Sequence, residues 1–484
     1  MGHIKVPTLH FDWISHHAHA RSAHCALIDL GSGRQLSYAA LEARVARLAG
    51  YLSVERRIRK GDRVAALAHN CGELFELMFA CARIGAIYLP LNWRLTLAEL
   101  TYILQDAEPA LLASDQACAQ SAEALCQEGV IGALLKFESQ GPEGYEAILA
   151  AAEPIRQLEP TTHDDVQMIM YTSGTTGFPK GALITYGMTF WNAINVGIPS
   201  LITPETRLLS VMPLFHTRGL NLFCNPVFHA GGTVVLMREF EPGAMLSALG
   251  DEHLAITHTF AVPTAYQAMA NHPSFEDTRF AFLKIACVGG AATPLSVFEQ
   301  WRKRGICLAN GYGMTETSPA VTLLLPEDAV RMSGSVGRPL LHTEIRIVDT
   351  EGREVGVDEP GQLLVRGPNV TPGYWRNPQA SAEAFSGDWL KTGDIGRRNS
   401  EGFCFILDRA NDMYISGGEN VYPAEVENVL CGIAGVLESA VISMPDPVWG
   451  ETGLAVVVPK LGNTLYTEQI TTVPTFVGTV TVSN

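Results

Sequence analysis

The chain has 484 residues, 47% of them hydrophobic and 17% charged, and carries a formal net charge of −16. This composition excludes a disordered or fibrous protein, and the length predicts more than one globular domain. The negative balance argues against general nucleic-acid binding, because a phosphate backbone would be repelled and Arg56, Arg57, Arg59 and Lys60 make only a short basic turn. The ten cysteines include no Cys-x-x-Cys pair and read as reduced core residues. No basic start leads into an apolar signal core, and no apolar run is long enough to span a bilayer. A cytoplasmic protein is expected, with peripheral membrane contact and a homodimeric assembly left open.

The first residues are rich in histidine: His10, His16, His17, His19 and His24. No acidic or cysteine partner sits beside them at ligand spacing, so a polar helix face is expected rather than a metal site. From Arg34 to Leu52, apolar positions recur at helical spacing behind Ser37, a candidate cap. Gly61 to Leu67 reads as a strand, Glu73 to Ile84 as a helix, and Ala86 to Leu91 as a strand closed by Pro90 and Asn92. Such alternation implies parallel β-α-β units. Helical patterns continue over Leu97 to Leu104 and Asp115 to Cys126, and the polar stretch from Glu138 to Asp165 is expected to connect two subdomains.

Met168 to Ala182, MIMYTSGTTGFPKGA, is the stretch around which the rest is organised. A buried strand, Met168 to Tyr171, stops at a polar loop of Thr172, Ser173, Gly174, Thr175, Thr176 and Gly177, with Lys180 after Pro179. Hydroxyls, glycines that let backbone N–H groups crowd a ligand, and a lysine together suit a polyphosphate. The spacing does not fit a Walker A loop. An ordinary Ser/Thr/Gly-rich turn is the competing reading, and only the later motifs decide between them.

Leu208 to Leu220 reads as a second buried strand that ends at Pro213 and exposes Phe215 and His216. Arg218 beside them is either a solvated charge or a partner for a second anionic group on a ligand. Thr257 to Met269 is a strand and helix with small and medium apolar residues. In LKIACVGGAATP, Gly289 and Gly290 follow an apolar strand directly, which lets backbone approach a flat ring. Asn310 to Thr317, NGYGMTET, offers Tyr312 for stacking, Thr315 for a phosphate contact and Glu316 as a carboxylate for Mg²⁺.

TSGTTGFPKG resembles the signature loop of the acyl-adenylate-forming superfamily, which includes acyl-CoA and aryl-CoA ligases, luciferases and peptide-synthetase adenylation domains. The later motifs arrive in that family's order, and the resemblance runs from about Leu36 to about Ile470. It implies an α/β fold: a large multi-subdomain N-terminal adenylate-forming domain, residues 1–408, and a small mobile α+β C-terminal domain, residues 409–484, incomplete here. It implies ATP, Mg²⁺ and coenzyme A as substrates and cofactors, and a small carboxylic acid as the group activated.

Residue by residue, the resemblance gives Thr172 to Gly177 and Lys180 to the phosphates, and His216 to the acyl channel and the carboxylate. Adenine falls to Gly290, Ala291 and Ala292, the nucleotide also to Asn310, Gly311, Tyr312, Gly313, Met314 and Thr315, and Mg²⁺ to Glu316. Asp394 in WLKTGD matches the carboxylate that accepts from ribose hydroxyls, and Arg409 in LDRANDM a nucleotide-contacting arginine. Catalytic roles are expected of Lys180, His216, Thr315, Glu316 and Arg409. Asp408 to Met413 marks the hinge, with Asn411 where Asp or Lys is usual, and Gly417 and Gly418 in ISGGENVYPAEVE border the pantetheine tunnel.

The small domain is expected to open with a helix from Pro423 to Leu430 and strands around Val436 to Met444 and Leu454 to Val458. The last fourteen residues, TTVPTFVGTVTVSN, depart from the family and lack its Pro-x-x-x-x-Gly-Lys pattern, so a truncated, frame-shifted or naturally short chain is expected, impaired in adenylation. A fatty acid is the favoured substrate, with aryl and dicarboxylic acids as alternatives. A non-catalytic nucleotide-binding protein and a carrier-protein-loading module remain as readings from other classes.

Overall fold

The computed structural model describes residues 7–139, 141, 144–172, 179–291, 293–410, 412–416, 419–433, 435–446, 450–460 and 478–482. Its largest sheet has nine strands. Cys25–Asp29, Thr233–Leu236, Arg207–Ser210, His258–Ala261, Ile285–Gly289 and Ala309–Gly313 run parallel in that spatial order, and antiparallel strands close both edges. A six-stranded sheet carries Leu134–Lys136, Leu111–Ser114, Arg63–Leu67, Ile87–Leu91 and Val166–Thr172 in parallel, then Lys180–Thr185 antiparallel at its edge. These are the β-α-β units that the alternating pattern predicts.

The helix Gly72–Arg83 is buried at all of its residues. Its charged groups are tolerable there because each is paired. Glu73 meets Arg34, Glu76 accepts from Arg44 Nε at 2.7 Å and from the Tyr145 hydroxyl at 2.7 Å, and Arg83 binds both Asp12 and Glu42. Phe75 and Phe79 pack edge-to-face on Phe228 beneath the nine-stranded sheet, so the largest core joins the two sheets through this helix.

Several sequence expectations hold in detail. The helix Tyr38–Gly50 is capped by Ser37, whose side chain accepts from Ala40 N, and helices occupy Leu97–Ala107 and Pro423–Cys431. Others shift. A short apolar run missed in the sequence, Leu111–Ser114, is a strand, and Asp115 then accepts from Cys118 N so that the following helix begins at Ala119. Pro90 lies inside its strand rather than closing it, on a strand whose ladder to Val166–Thr172 registers only at Tyr88 and Met168. The connecting stretch contains a helix, Tyr145–Ala151. Of the early histidines, His17 is buried, with Nε2 2.9 Å from the His229 carbonyl, so the helix Trp13–Ala20 is less polar on that face than expected.

Residues 344–409 form a third sheet of five strands, and the small C-terminal domain supplies a fourth. There the long strands Val436–Asp446 and Gly450–Pro459 pair antiparallel, and Gly478–Val482 lies parallel to the second. The tail singled out in the sequence thus contains a strand, while residues 461–477, which include the Gly462 to Ile470 stretch, and Asn411, Gly417 and Gly418 lie outside the described residues. No helix among the described residues is long and apolar enough to cross a membrane.

Candidate active site

In open parallel sheets, ligands bind beyond the carboxyl ends of the strands. Three strands of the nine-stranded sheet deliver the sequence motifs to that edge: Ile285–Gly289 leads into Gly290 and Ala291, Ala309–Gly313 into Met314 to Glu316, and Arg207–Ser210 into Pro213 to Arg218. Two cavities open there and share Arg218 as a common wall. The first is a narrow apolar slot of about 30 Å³ between Val196, Leu222, Phe260, Cys287, Tyr312 and Leu340. The second holds about 520 Å³ and is lined by Asn70, Trp93, Arg94, His216, Arg238 and Phe240, among others.

The glycines at the slot are there for space. A side chain on Gly313 would place Cβ 1.8 Å from the Pro319 carbonyl oxygen, and one on Gly290, at φ +88°, would meet Arg218 Nη1 at 1.9 Å. Arg218 Nη1 donates to the Gly290 carbonyl at 3.2 Å, so the guanidinium lies across the turn. Ala291 is exposed, Ala292 lies outside the described residues, and the buried Thr293 hydroxyl has no hydrogen-bond partner among the described residues.

Thr172 pairs with Lys180 in an antiparallel hairpin at the two ends of the candidate phosphate loop. Ser173, Gly174, Thr175, Thr176 and Gly177 lie outside the described residues. Lys180 Nζ sits 5.8 Å from the Tyr374 ring centroid, and the Tyr374 hydroxyl donates to Glu316 Oε1 at 2.8 Å. Glu316 is buried, and burial together with this carboxylate raises the Tyr374 pKa. The second carboxylate oxygen of Glu316 accepts no hydrogen bond among the described residues. A hard divalent cation takes oxygen ligands, so Glu316 fits Mg²⁺ as a single protein oxygen donor beside phosphates. Tyr374 was not foreseen; nothing local in TPGYW marks it.

A second linked set begins two residues before Met314. Tyr312 forms a short hydrogen bond to Asp394 Oδ2, and Arg409 Nε lies 3.0 Å from Asp394 Oδ1. Burial raises the Asp394 pKa against the opposing effects of Tyr312 and Arg409. Tyr312 also lines the apolar slot. Asn310 is held in the scaffold, where its side-chain amide donates to the Ser335 carbonyl at 2.8 Å. Thr315 opens the short helix Thr315–Thr317, in which Thr317 Oγ1 accepts from Met314 N at 3.0 Å.

His216 caps the turn Thr217–Gly219, its ring 4.5 Å from that of Phe215. Burial, reinforced by Arg218 and Arg94, lowers its pKa to about 4, so it is a neutral imidazole at physiological pH. Elsewhere, His69, Asp115 and Cys118 are the group among the described residues with metal-ligating atoms in mutual reach, but Asp115 already accepts from Arg238 at 2.8 Å.

This geometry coincides with that of known proteins. The AMP-binding enzyme family matches residues 14–375, and the AMP-binding enzyme C-terminal domain matches residues 425–479. Feruloyl-CoA synthase of Amycolatopsis sp is 41% identical over 91% of this chain and 87% of its own. Indoleacetate–CoA ligase of Aromatoleum aromaticum is 37% identical over 94% of this chain and 89% of its own. O-succinylbenzoate coenzyme A synthetase from Bacillus subtilis, in complex with ATP and magnesium ion, superposes with a TM-score of 0.87 at 29% identity, covering 98% of this chain and 96% of that one. The chain belongs to the AMP-binding enzyme family. Within it, the protein is an AMP-forming acid–thiol ligase with the large and small domains of the adenylate-forming fold.

Proposed function

We propose that the protein joins an aryl carboxylic acid to coenzyme A at the expense of ATP, through an acyl-adenylate. The observation that carries this reading is the pair of linked sets, Lys180–Tyr374–Glu316 and Tyr312–Asp394–Arg409, joined through one short segment beside an apolar slot. One set suits a polyphosphate and its cation, the other a nucleoside, and the slot an apolar acid. Mg²⁺, held by Glu316, neutralises phosphate charge when bound. Lys180 adds a fixed positive charge on the phosphate side, Arg409 a second beside Asp394, and the protein's contribution is largely positioning and charge neutralisation. The acid's carboxylate attacks the α-phosphorus and pyrophosphate leaves; the CoA thiol then attacks the acyl carbon and AMP leaves.

The loop residues Ser173 to Gly177 belong to the same reading as phosphate ligands, and Gly290, Ala291 and Ala292 as the adenine wall. The large cavity beside His216, with Arg94 at its rim, suits the polar arm of CoA approaching the carboxylate. His216, neutral by burial, orients that carboxylate as a hydrogen-bond donor rather than as a counter-ion. The domain boundary falls at Asp408 and Arg409, with Asp408 to Met413 as the hinge. An aryl acid is favoured over a fatty acid because the slot between Tyr312 and the glycine turn is short and narrow, and because the relatives above are named for ring-bearing acids.

The test is pyrophosphate release from Mg-ATP by this chain with fatty, aryl and dicarboxylic acids, with and without CoA. Release and thioester formation with aryl acids support the reading. Thioester formation from fatty acids alone overturns the choice of acid, and absence of both products with every acid overturns the ligase reading.

A further inference from the structure

Four arginines removed from water in this protein have carboxylate partners. Arg83 has Asp12 and Glu42, Arg44 has Glu76 and Glu146, Arg34 has Glu73, and Arg238 has Asp115 and Glu138. The half-buried Arg47 and Arg207 instead donate to the backbone carbonyls of three and two residues, and Arg218 departs from both patterns. It is half-buried, walls both cavities, and has no carboxylate of the described residues within 4.0 Å. Among the described residues one of its five donors is used, on the neutral, exposed Gly290 carbonyl. Burial lowers its pKa; around the larger cavity, which it shares with His216, Arg94 and Arg238, the acidic group is Glu239, which lies 3.2 Å from His69 Nε2 and not within 4.0 Å of Arg218.

A half-buried guanidinium with no carboxylate in reach among the described residues can take its counter-charge from a ligand. Its position adds a geometric reason. While Arg218 rests across Gly290 the apolar slot is narrow, so a ring-bearing acid enters as the guanidinium leaves the carbonyl. A carboxylate is the better acceptor, because charge-assisted and bidentate bonds to the planar fork exceed a single bond to a neutral carbonyl.

We propose that Arg218 is a specificity-determining residue that pairs with a second carboxylate of the acid, so that the preferred substrates are dicarboxylic acids with a compact, ring-bearing apolar body. The apolar body fills the slot between Leu222, Phe260 and Leu340, one carboxylate is activated, and the other holds Arg218 off the Gly290 turn. This rests on the ligase reading above and deepens it.

The experiment compares matched pairs of aryl acids, each with and without a second carboxylate, in CoA-thioester formation by the full chain and by its Arg218→Met and Arg218→Lys variants. The expected result is a kcat/KM preference of at least about tenfold for the dicarboxylate in the parent protein, collapsing in Arg218→Met and partly kept in Arg218→Lys, which retains charge but not the fork. The KM for ATP stays the same in both variants. Equal use of both members of each pair by the parent protein overturns the inference and leaves the ligase reading standing. So does an Arg218→Met variant that loses all acids alike or binds ATP less well, since Arg218 then serves the nucleotide or the reacting carboxylate. Calorimetric titration of the same acids in the presence of ATP gives a reading independent of turnover. If no acid yields thioester, tenfold tighter binding of the dicarboxylate to the parent than to Arg218→Met still supports the pairing, and equal binding rejects it.

Discussion

The Tyr374 hydroxyl donates to Glu316 Oε1 at 2.8 Å, and the Lys180 ammonium lies over the same tyrosine ring. One aromatic side chain thereby fixes the rotamer of the carboxylate assigned to the metal and the position of the cation assigned to the phosphates. Glu316→Gln, which removes the charge with little change of shape, is expected to lower the rate of pyrophosphate release by about 10²- to 10³-fold and to raise the Mg²⁺ concentration needed for half-maximal rate. Tyr374→Phe is expected to lose about tenfold and to shift the Mg²⁺ requirement less, because the charge stays. Mg²⁺ titrations of pyrophosphate release separate the two.

Asp394 is shared between Tyr312 and Arg409. On the nucleoside role proposed for Asp394, Asp394→Asn is expected to raise the KM for ATP by about tenfold or more while leaving the KM for the acid close to that of the parent. A nucleotide titration followed by the intrinsic fluorescence of the tryptophans gives the same ordering without turnover.

Burial lowers the pKa of His10 and of His216, in each case to about 4, from the ordinary histidine value of 6.5. Between these values the unfolded chain binds protons that the folded chain refuses, so the stability contributed is complete above about pH 6.5 and lost as pH falls towards about 4. The urea midpoint is therefore expected to rise with pH across this window, and His216→Gln to flatten part of that slope. A midpoint independent of pH there would contradict the buried neutral state.

Arg83 is fully buried and donates to Asp12 and Glu42, with Nη2 at 2.6 Å from Glu42 Oε2 and Nε at 2.9 Å from Asp12 Oδ2. Arg83→Ala strands the buried Glu42 carboxylate and leaves the partly exposed Asp12 unpaired, and is expected to cost about 3–5 kcal/mol of stability, read as a lower midpoint in urea unfolding. The triple variant with Asp12→Asn and Glu42→Gln is expected to recover part of the loss, which a simple loss of packing would not allow.

The parts of the site that were readable in advance are those whose chemistry is local. Gly290 and Gly313 are glycines because neighbouring backbone or Arg218 occupies the place of a side chain, and the Met168 to Tyr171 strand stops where hydroxyls and glycines begin. The parts that were not readable depend on distant segments. Tyr374 reaches Glu316 across 58 positions of sequence, and the spacing within TPGYW gives no hint of it. The bond from Asn310 to Ser335 likewise spans 25 positions, and nothing in NGYG announces it. The Leu111–Ser114 strand was missed because four apolar residues carry no period of their own, and its place is set by pairing with Arg63–Leu67. The helix Gly72–Arg83 was legible although buried all round, through its length and helix-forming residues rather than through a polar face.

Cys287 lines the apolar slot, and burial pushes its thiol up to about 12. At neutral pH the thiol therefore stays protonated, and the thiolate is the form that attacks acyl groups. An activated acid resting in that slot thus has a sulfur beside it that does not compete with the thiol of CoA. On the proposed placement of the acid, the protein keeps its own nucleophile silent by dryness, and the acyl group is left to a partner that brings its sulfur in from water.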